Sequence, residues 1–542
     1  MQKLEMTWIG KGEDKGIEPR ILLHDSKKDY GDSNTSNMLI HGDNLLALKA
    51  LESDFTGKIK CIYIDPPFNT GAAFEYYDDN LEHSIWLDLM YERLIHLRNL
   101  LTTDGGVILV HIDDVEMAYL KVIMDEVFGR SNFVCSIAVK SNNLSGNKTA
   151  HKDKTILKNK EFILVYKRGG SLKVNPQYTV KNKWDTHYTH FIYEDESRIV
   201  DRPLKDVLKE EGIIGPKDRV TESSINDPTF KNFVLKNSHK IFRPVNSIDE
   251  TQRKRSKEHP GEIITWEKDG KYYMALNGSR LSPLSSSVKT INGKEEFAQL
   301  LGDLWDDIDF QNTQNEGYGS FPASKKPEAL IRRILDMFTV EGDYVLDSFL
   351  GSGTTAAVAH KMNRKWIGIE LNNHCYTHCK PRIDKVIDGK DDRGITRYVG
   401  WTGGGGYKFY ELAPSLIKED ANGFHVISEE YNPEMLSAAV AKMNGYKYSP
   451  DPECFWKSGV SFPGNYIFVT TKFVTYELVD QIAQDIKNNE SLLICASAFD
   501  NNLDQRYENI SVKKIPLSLL ERCRFNVGNY NLNLKSEECS NE

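Results

Sequence analysis

The run CIYIDPPFNTG, residues 61–71, passes from apolar residues straight into an acid, two prolines, an aromatic ring, an amide and a glycine. A continuous apolar stretch without alternation reads as a strand covered on both faces, as in a parallel sheet flanked by helices. Proline cannot extend such a strand, so Asp65 and the residues after it stand at its carboxyl end. In open α/β sheets, ligands bind outside the carboxyl ends of the strands. The segment therefore sets two expectations together, a largely parallel sheet and a site at its edge. A proline-rich turn without chemistry is the plain alternative.

A chain of 542 residues is too long for one core of ordinary size, and its pattern divides it. Residues 1–36 are polar and read as an irregular arm. From 37 to 167, strand signals (NMLIHGDN, KIKCIYI, VILVHID) alternate with helical ones (LLALKALESD, LEHSIWLDLMYERLIHLRNLL), and FVCSIAV and FILVYK suit an antiparallel sheet edge. In the second helix Trp86, Leu89, Met90, Leu94, Leu97 and Leu101 share a face. Residues 168–310 read as a loop-rich recognition insert with interleaved aromatics, and sheet-like regularity returns over 311–399. The glycines of GWTGGGGYKFYEL mark 400–412 as a linker. Beyond it, 413–542 reads as a small α/β module.

Composition narrows the partners. The eight cysteines are scattered, which suits reduced thiols, and neither a secretion signal nor a run of eighteen apolar residues occurs, so a cytoplasmic chain without a membrane partner is expected. The net charge is −9, yet basic residues outnumber acidic ones between Lys140 and Leu300. A basic insert in an acidic chain suits phosphate, although dispersed surface charge accounts for it equally well.

A second strand end carries the other motif, DSFLGSGTTA, residues 347–356. Glycines spaced by one residue between strand and helix let a ligand approach backbone at a helix amino terminus. A phosphate-binding P-loop would need lysine before the hydroxyl residue, and Thr354 and Thr355 follow Gly353 without one. Glu370 ends the next strand signal, KWIGIE, where an acid suits two ribose hydroxyls. Together these features specify an adenosine-bearing ligand.

The order IYIDPPFNTG, basic insert, DSFLGSGTT, WIGIE resembles the amino-methyltransferases that act on DNA bases, in the permuted class called beta, over roughly residues 37–390. MLIHGDNLLALKAL, DPPFNTGAAFEYYDD and GWTGGGGYKFYELAPSL are similar, more narrowly, to modification subunits of type III restriction systems. The resemblance implies a Rossmann-like fold with a mixed seven-stranded sheet, S-adenosylmethionine as cofactor, double-stranded DNA as substrate, a homodimer and a separate restriction or helicase-like subunit. It implies that Asp65 and the Pro66 carbonyl accept the hydrogens of an exocyclic amine, that Pro67 stiffens the turn and that Phe68 stacks on an everted base. Asp in first place favours N6 of adenine. N4 of cytosine, a non-catalytic DNA-binding subunit and, more weakly, an RNA substrate are the alternatives.

The same resemblance assigns Asp43, Asn44, Asp347, Phe349, Gly351, Gly353, Thr354, Glu370, Lys326 and Pro327 to the cofactor, with a helix cap as the competing role for Asn44. Asn69, Phe74, Tyr76 and Asp78 are expected near the base, and Arg253, Lys254 and Arg255 at phosphate or simply in solvent. HCYTHC, residues 374–379, has ligand-type residues at helical spacing, but no second pair accompanies it, so no metal is expected.

Overall fold

The computed structural model describes residues 5–515 except 9, 13–16, 19, 70–81, 144–152, 196–197, 292, 312, 318–320, 322–324, 420–424 and 488. Two compact units emerge, one of Met1–Asn175 with Asp303–Glu542, the other of Pro176–Gly302.

The first unit is built on a large mixed sheet. Its main strands are β1 (Met38–His41), β2 (Cys61–Ile64), β3 (Val107–Ile112), β4 (Phe133–Lys140), β5 (Lys160–Lys167), β6 (Tyr344–Asp347), β7 (Lys365–Glu370) and β8 (Gly406–Leu412). They lie in the order β8-β1-β7-β6-β2-β3-β5-β4, with Leu22–His24 outside β8 and Leu304–Trp305 outside β4. From β8 to β3 every neighbour is parallel, whereas β5 is antiparallel to both β3 and β4. All residues of β2 and β3 are buried, which is why these strands show no alternation.

Helices cover the sheet. In α1 (Asn44–Phe55) and α2 (His83–Leu100) the apolar stripe faces inward, and Trp86, Leu89, Met90, Leu94 and Leu97, like Leu101 just beyond, are at most 1% exposed. Burial of each such side chain contributes about 1.5–3 kcal/mol. Three more helices bear on the site: α3 (Asp114–Met124), α4 (Glu328–Phe338) and α5 (Thr354–Lys361). None of the helices among the described residues is long and apolar enough to cross a membrane.

Three sequence expectations change. The segment 400–412 is not a linker, because Gly406–Leu412 is β8 itself, parallel to β1 and buried at Tyr407 and Phe409. The amino-terminal arm is partly ordered by the same strand, since Leu22–His24 pairs with it antiparallel. The sheet is accordingly wider than seven strands. The segment after β8, within the same unit, carries a five-stranded sheet and helices Pro433–Met443 and Tyr476–Asp485.

The insert is more regular than its composition suggests. Pro176–Gly302 contains a six-stranded antiparallel sheet and a three-stranded one, around a core that includes Trp184, Tyr188, Phe230 and Phe297. Two of its hairpins turn on Asp269-Gly270 and Asn277-Gly278, all four with positive φ, the conformation two-residue hairpin turns require. The expected limits of 168–310 were wide at both ends: the backbone N–H of Asn175 bonds the Met337 carbonyl, and Leu304–Trp305 extends the main sheet.

Because β8 completes the sheet, Phe409→Ala, at a position with no exposed surface, is expected to destabilise the first unit by about 3–5 kcal/mol. Urea unfolding measures this, and an unchanged midpoint would return the segment to the status of a linker.

Candidate functional site

Strands β6 and β2 are neighbours, paired at Val345 with Cys61 and Leu346 with Ile62, so their carboxyl ends open at one edge of the sheet. Asp65 follows β2, Asp347 closes β6, and Glu370 closes β7 next door. The two motifs, about 280 residues apart in sequence, are thereby brought together.

The turn after β2 is fastened from several sides. Pro66 is buried, and the Pro67 carbonyl accepts the indole N–H of Trp86 at 2.8 Å. Asn69 has φ of 56°, a conformation its short amide side chain tolerates, and donates to Glu116 Oε1 on α3 at 2.7 Å. That contact makes Asn69 a brace for the turn. Phe74, Tyr76 and Asp78 lie outside the described residues.

Among the described residues Asp65 is paired on one oxygen only. Lys326 Nζ stands 3.1 Å from Asp65 Oδ2 and 3.6 Å from Glu161 Oε2, and 4.6 Å above the Phe68 ring. Asp65 Oδ1 is buried with no hydrogen-bond partner among the described residues. Behind Glu161, His111 Nε2 is 2.7 Å away, and His111 Nδ1 lies 2.8 Å from the Tyr63 hydroxyl. Burial pushes the Glu161 carboxyl up, but Lys326 and His111 outweigh it and hold this acid below the usual carboxylate range. Burial likewise pushes the Lys326 ammonium down, and Asp65 and Glu161 more than reverse it, so Lys326 remains charged. Pro327 caps α4 immediately after Lys326 and fixes where that side chain departs.

His111 and Glu161 are the residues that sequence reasoning missed. The signal was present as a titratable group inside each of two apolar strands, VILVHI and KEFILVYK. Because β5 runs antiparallel to β3, its beginning reaches the edge where β3 ends.

The glycine loop is equally well anchored. Gly351 and Gly353 have φ of 55° and 80°, and Gly353 caps α5, where a side chain would press on Cys379 Cα at 3.3 Å. Asp347 accepts the Phe349 N–H at 2.9 Å and the Thr355 hydroxyl at 2.6 Å. Burial nevertheless raises its pKa from 3.8 to about 7. Thr354 Oγ1 accepts from Arg382 at 2.7 Å.

Several assigned cofactor residues serve the loop itself. Glu370, expected to receive ribose hydroxyls, accepts the Gly351 N–H on Oε2 at 2.6 Å and the Leu371 N–H on Oε1 at 2.8 Å. A ribose at this carboxylate must share those oxygens with the backbone or displace it. Asp43 caps α1 through the Leu46 N–H at 3.1 Å, so the cap belongs to Asp43 and not Asn44. Asn44 donates to the Ser348 carbonyl at 2.7 Å and accepts from buried Arg93 at 2.5 Å, tying β1 to the glycine loop. HCYTHC forms a π-helical turn in which the Cys379 thiol donates to the Gly351 carbonyl at 3.0 Å, and no metal-holding group of His, Cys, Asp or Glu occurs among the described residues. In the insert, Arg253 bonds the Asn246 carbonyl at 2.9 Å on helix Glu250–Glu258, leaving Lys254 and Arg255 exposed on that helix and not in a loop.

A glycine turn and an acidic proline turn at adjacent strand ends of such a sheet define the Rossmann-like methyltransferase fold, in its permuted motif order. The chain belongs to the DNA methylase family (N6_N4_Mtase), whose model matches residues 59–380. It is 38% identical over 70% of its length to the probable type III restriction-modification enzyme HindVI Mod subunit of Haemophilus influenzae, of which the match covers 54%. It is 28% identical over 67% of its length to the EcoPI Mod subunit of Escherichia phage P1, covering 62% of that protein, and 30% identical over 62% to the type II methyltransferase M.KpnI of Klebsiella pneumoniae, covering 81%. The chain thus spans little more than half the length of the first of these relatives.

Asp347 yields a pH prediction. Its folded pKa of about 7 lies above the ordinary 3.8, so between those values the folded chain keeps a proton that the unfolded chain releases. Its contribution therefore lowers stability as pH rises from about 4 to 7, by up to about 1.4 kcal/mol per pH unit. Unfolding curves across that range should lose this component in Asp347→Asn; an identical pH slope would show that Asp347 titrates normally.

Proposed function

We propose that this chain transfers a methyl group from S-adenosylmethionine to N6 of adenine in double-stranded DNA, as the modification subunit of a type III-like restriction or defence system in the cytoplasm. The observation that carries the reading is Asp65 Oδ1, buried without a hydrogen-bond partner among the described residues, in the turn that also carries Phe68, one strand away from the glycine loop. The names of the curated relatives support DNA as substrate and a type III-like setting. As in that setting, the enzyme works as a homodimer alongside a separate restriction or helicase-like subunit, and the module from about 413 serves partner docking.

The residues fit the cofactor. Gly351 and Gly353 keep the loop free of side chains at the start of α5, and Phe349 is buried beside it. S-adenosylmethionine supplies, when bound, an electrophilic methyl group on a sulfonium. The chain's own part is to make an exocyclic amine attack it. That amine is a poor nucleophile because its lone pair is delocalised into the ring. Asp65 and the Pro66 carbonyl, accepting its two hydrogens, favour a pyramidal nitrogen with a localised pair. Phe68 offers a ring for the everted base. Asp65 would accept the proton that the amine gives up once it is methylated. Lys326 holds Asp65 Oδ2 and lies over the Phe68 ring, so a base on that ring takes the place of the ammonium there while Oδ1 accepts the amine. N4 of cytosine offers the same two hydrogens; Asp in first place, through the family resemblance, favours adenine.

Asp65→Asn keeps the shape of the turn but presents a donor to the amine. It should reduce methyl transfer by at least about 10²–10³-fold with duplex binding retained. Methylation mapping by single-molecule sequencing and liquid chromatography of the nucleosides read this out. Unimpaired transfer by the variant would overturn the role of Asp65, and N4-methylcytosine from the wild type would overturn the choice of base.

A further inference from the structure

Within Pro176–Gly302 the structure contains a cavity of about 450 Å³ far in sequence from both motifs. Four cationic side chains line it, Lys181, Lys183, Arg243 and Lys289, against a single carboxylate, Asp185. That carboxylate is already committed: it accepts from Arg243 Nη1 at 2.5 Å and from the His187 backbone N–H at 3.1 Å, and lies 2.8 Å from the His187 ring. Lys181 approaches it only to 4.0 Å, and Lys183 is paired at the surface with Glu222. Lys289 lies over the Tyr178 ring at 5.4 Å.

Two donors in this lining are buried and lack acceptors among the described residues. They are the indole N–H of Trp184, a residue only 4% exposed, and the Nε–H of Arg243. An unsatisfied buried donor is costly, so two in the lining of one cavity point to a group that brings acceptors. The volume exceeds what a phosphate alone needs and falls in the range of small-molecule sites. The walls are partly aromatic, with Tyr178, Trp184 and Tyr188 among them. A ligand matching all of this is anionic, rich in acceptors and carries a ring.

We propose that this cavity binds a nucleoside monophosphate group, with its phosphate at Lys181 and Lys289 and its base or sugar acceptors at Trp184 and Arg243. The group is either one nucleotide of a DNA strand, which rests on the function proposed above, or a free nucleotide, which does not. In the first case the insert reads an unstacked nucleotide in addition to the one presented to Asp65.

The test uses the full chain with two variants, Trp184→Phe, which removes the N–H and keeps a ring, and Lys181→Ala/Lys289→Ala. Thermal unfolding and S-adenosylmethionine binding serve as controls, since neither variant touches the proposed catalytic residues. Duplex affinity is measured at several salt concentrations, and binding of the four free deoxynucleoside monophosphates by calorimetry. If the nucleotide belongs to DNA, the double variant should lose tenfold or more in duplex affinity, with a salt slope shallower by about two, and Trp184→Phe should lose severalfold at unchanged slope. If the ligand is free, the wild type should bind a monophosphate that both variants bind more weakly, with duplex affinity unaltered. Wild-type and variant proteins that bind duplex alike and bind no free nucleotide would overturn the inference while leaving the methyltransferase reading intact. A wild type that binds neither duplex nor nucleotide would overturn both.

Discussion

Four carboxyl groups, those of Asp65, Glu161, Asp347 and Glu370, are gathered at one edge of the sheet, where burial penalises every negative charge. The rest of the site follows from how each charge is answered. Lys326 serves Asp65 and Glu161 together, and His111 adds to Glu161 from behind. Backbone N–H groups answer Glu370, two of them from Gly351 and Leu371. Asp347 is answered least and moves toward protonation instead. Asp65 keeps a buried oxygen, Oδ1, that has no hydrogen-bond partner among the described residues.

Fastening of the two loops is a consequence of the same crowding. A carboxylate is useful at such an edge only if its position is fixed against repulsion by its neighbours. Trp86 holds the Pro67 carbonyl, Asn69 reaches α3, and Asn44 grips the glycine loop at Ser348. Glu370, by holding the Gly351 N–H, makes the shape of the glycine loop depend on the acid that closes the neighbouring strand.

Much of this was legible in the sequence, for reasons that vary by residue. The strand before Asp65 could be read because both its faces are covered, and α2 because its apolar stripe has helical period. The antiparallel edge of β4 and β5 was anticipated as well. Asp43 and Asn44 were placed at the strand end, where Asp43 caps α1 and Asn44 holds the Ser348 carbonyl; the sequence does not separate such roles, because a polar residue there can cap, clamp or bind with equal ease. The glycines before β8 were read as a boundary, although a strand needs only a few residues after them. The insert seemed irregular because its Lys- and Asn-rich strands lack apolar runs; Asp269-Gly270 and Asn277-Gly278 were the hairpin signals that composition concealed. His111 and Glu161 meet through a strand reversal that periodicity cannot report.

The strand order also dictates a timetable for synthesis. β2 emerges early and pairs with β3 on one side, but its other neighbour, β6, begins roughly 280 residues later, and β1 waits longer still for β7 and β8. At about 5–20 residues per second on the ribosome, those apolar strands spend on the order of 10–60 s with an open edge. The insert, whose two sheets pair only within Pro176–Gly302, can close on itself during that interval. A nascent chain of this topology therefore carries a self-contained insert before its main sheet is complete, and the open strand edge is a place where pairing with another chain competes with folding.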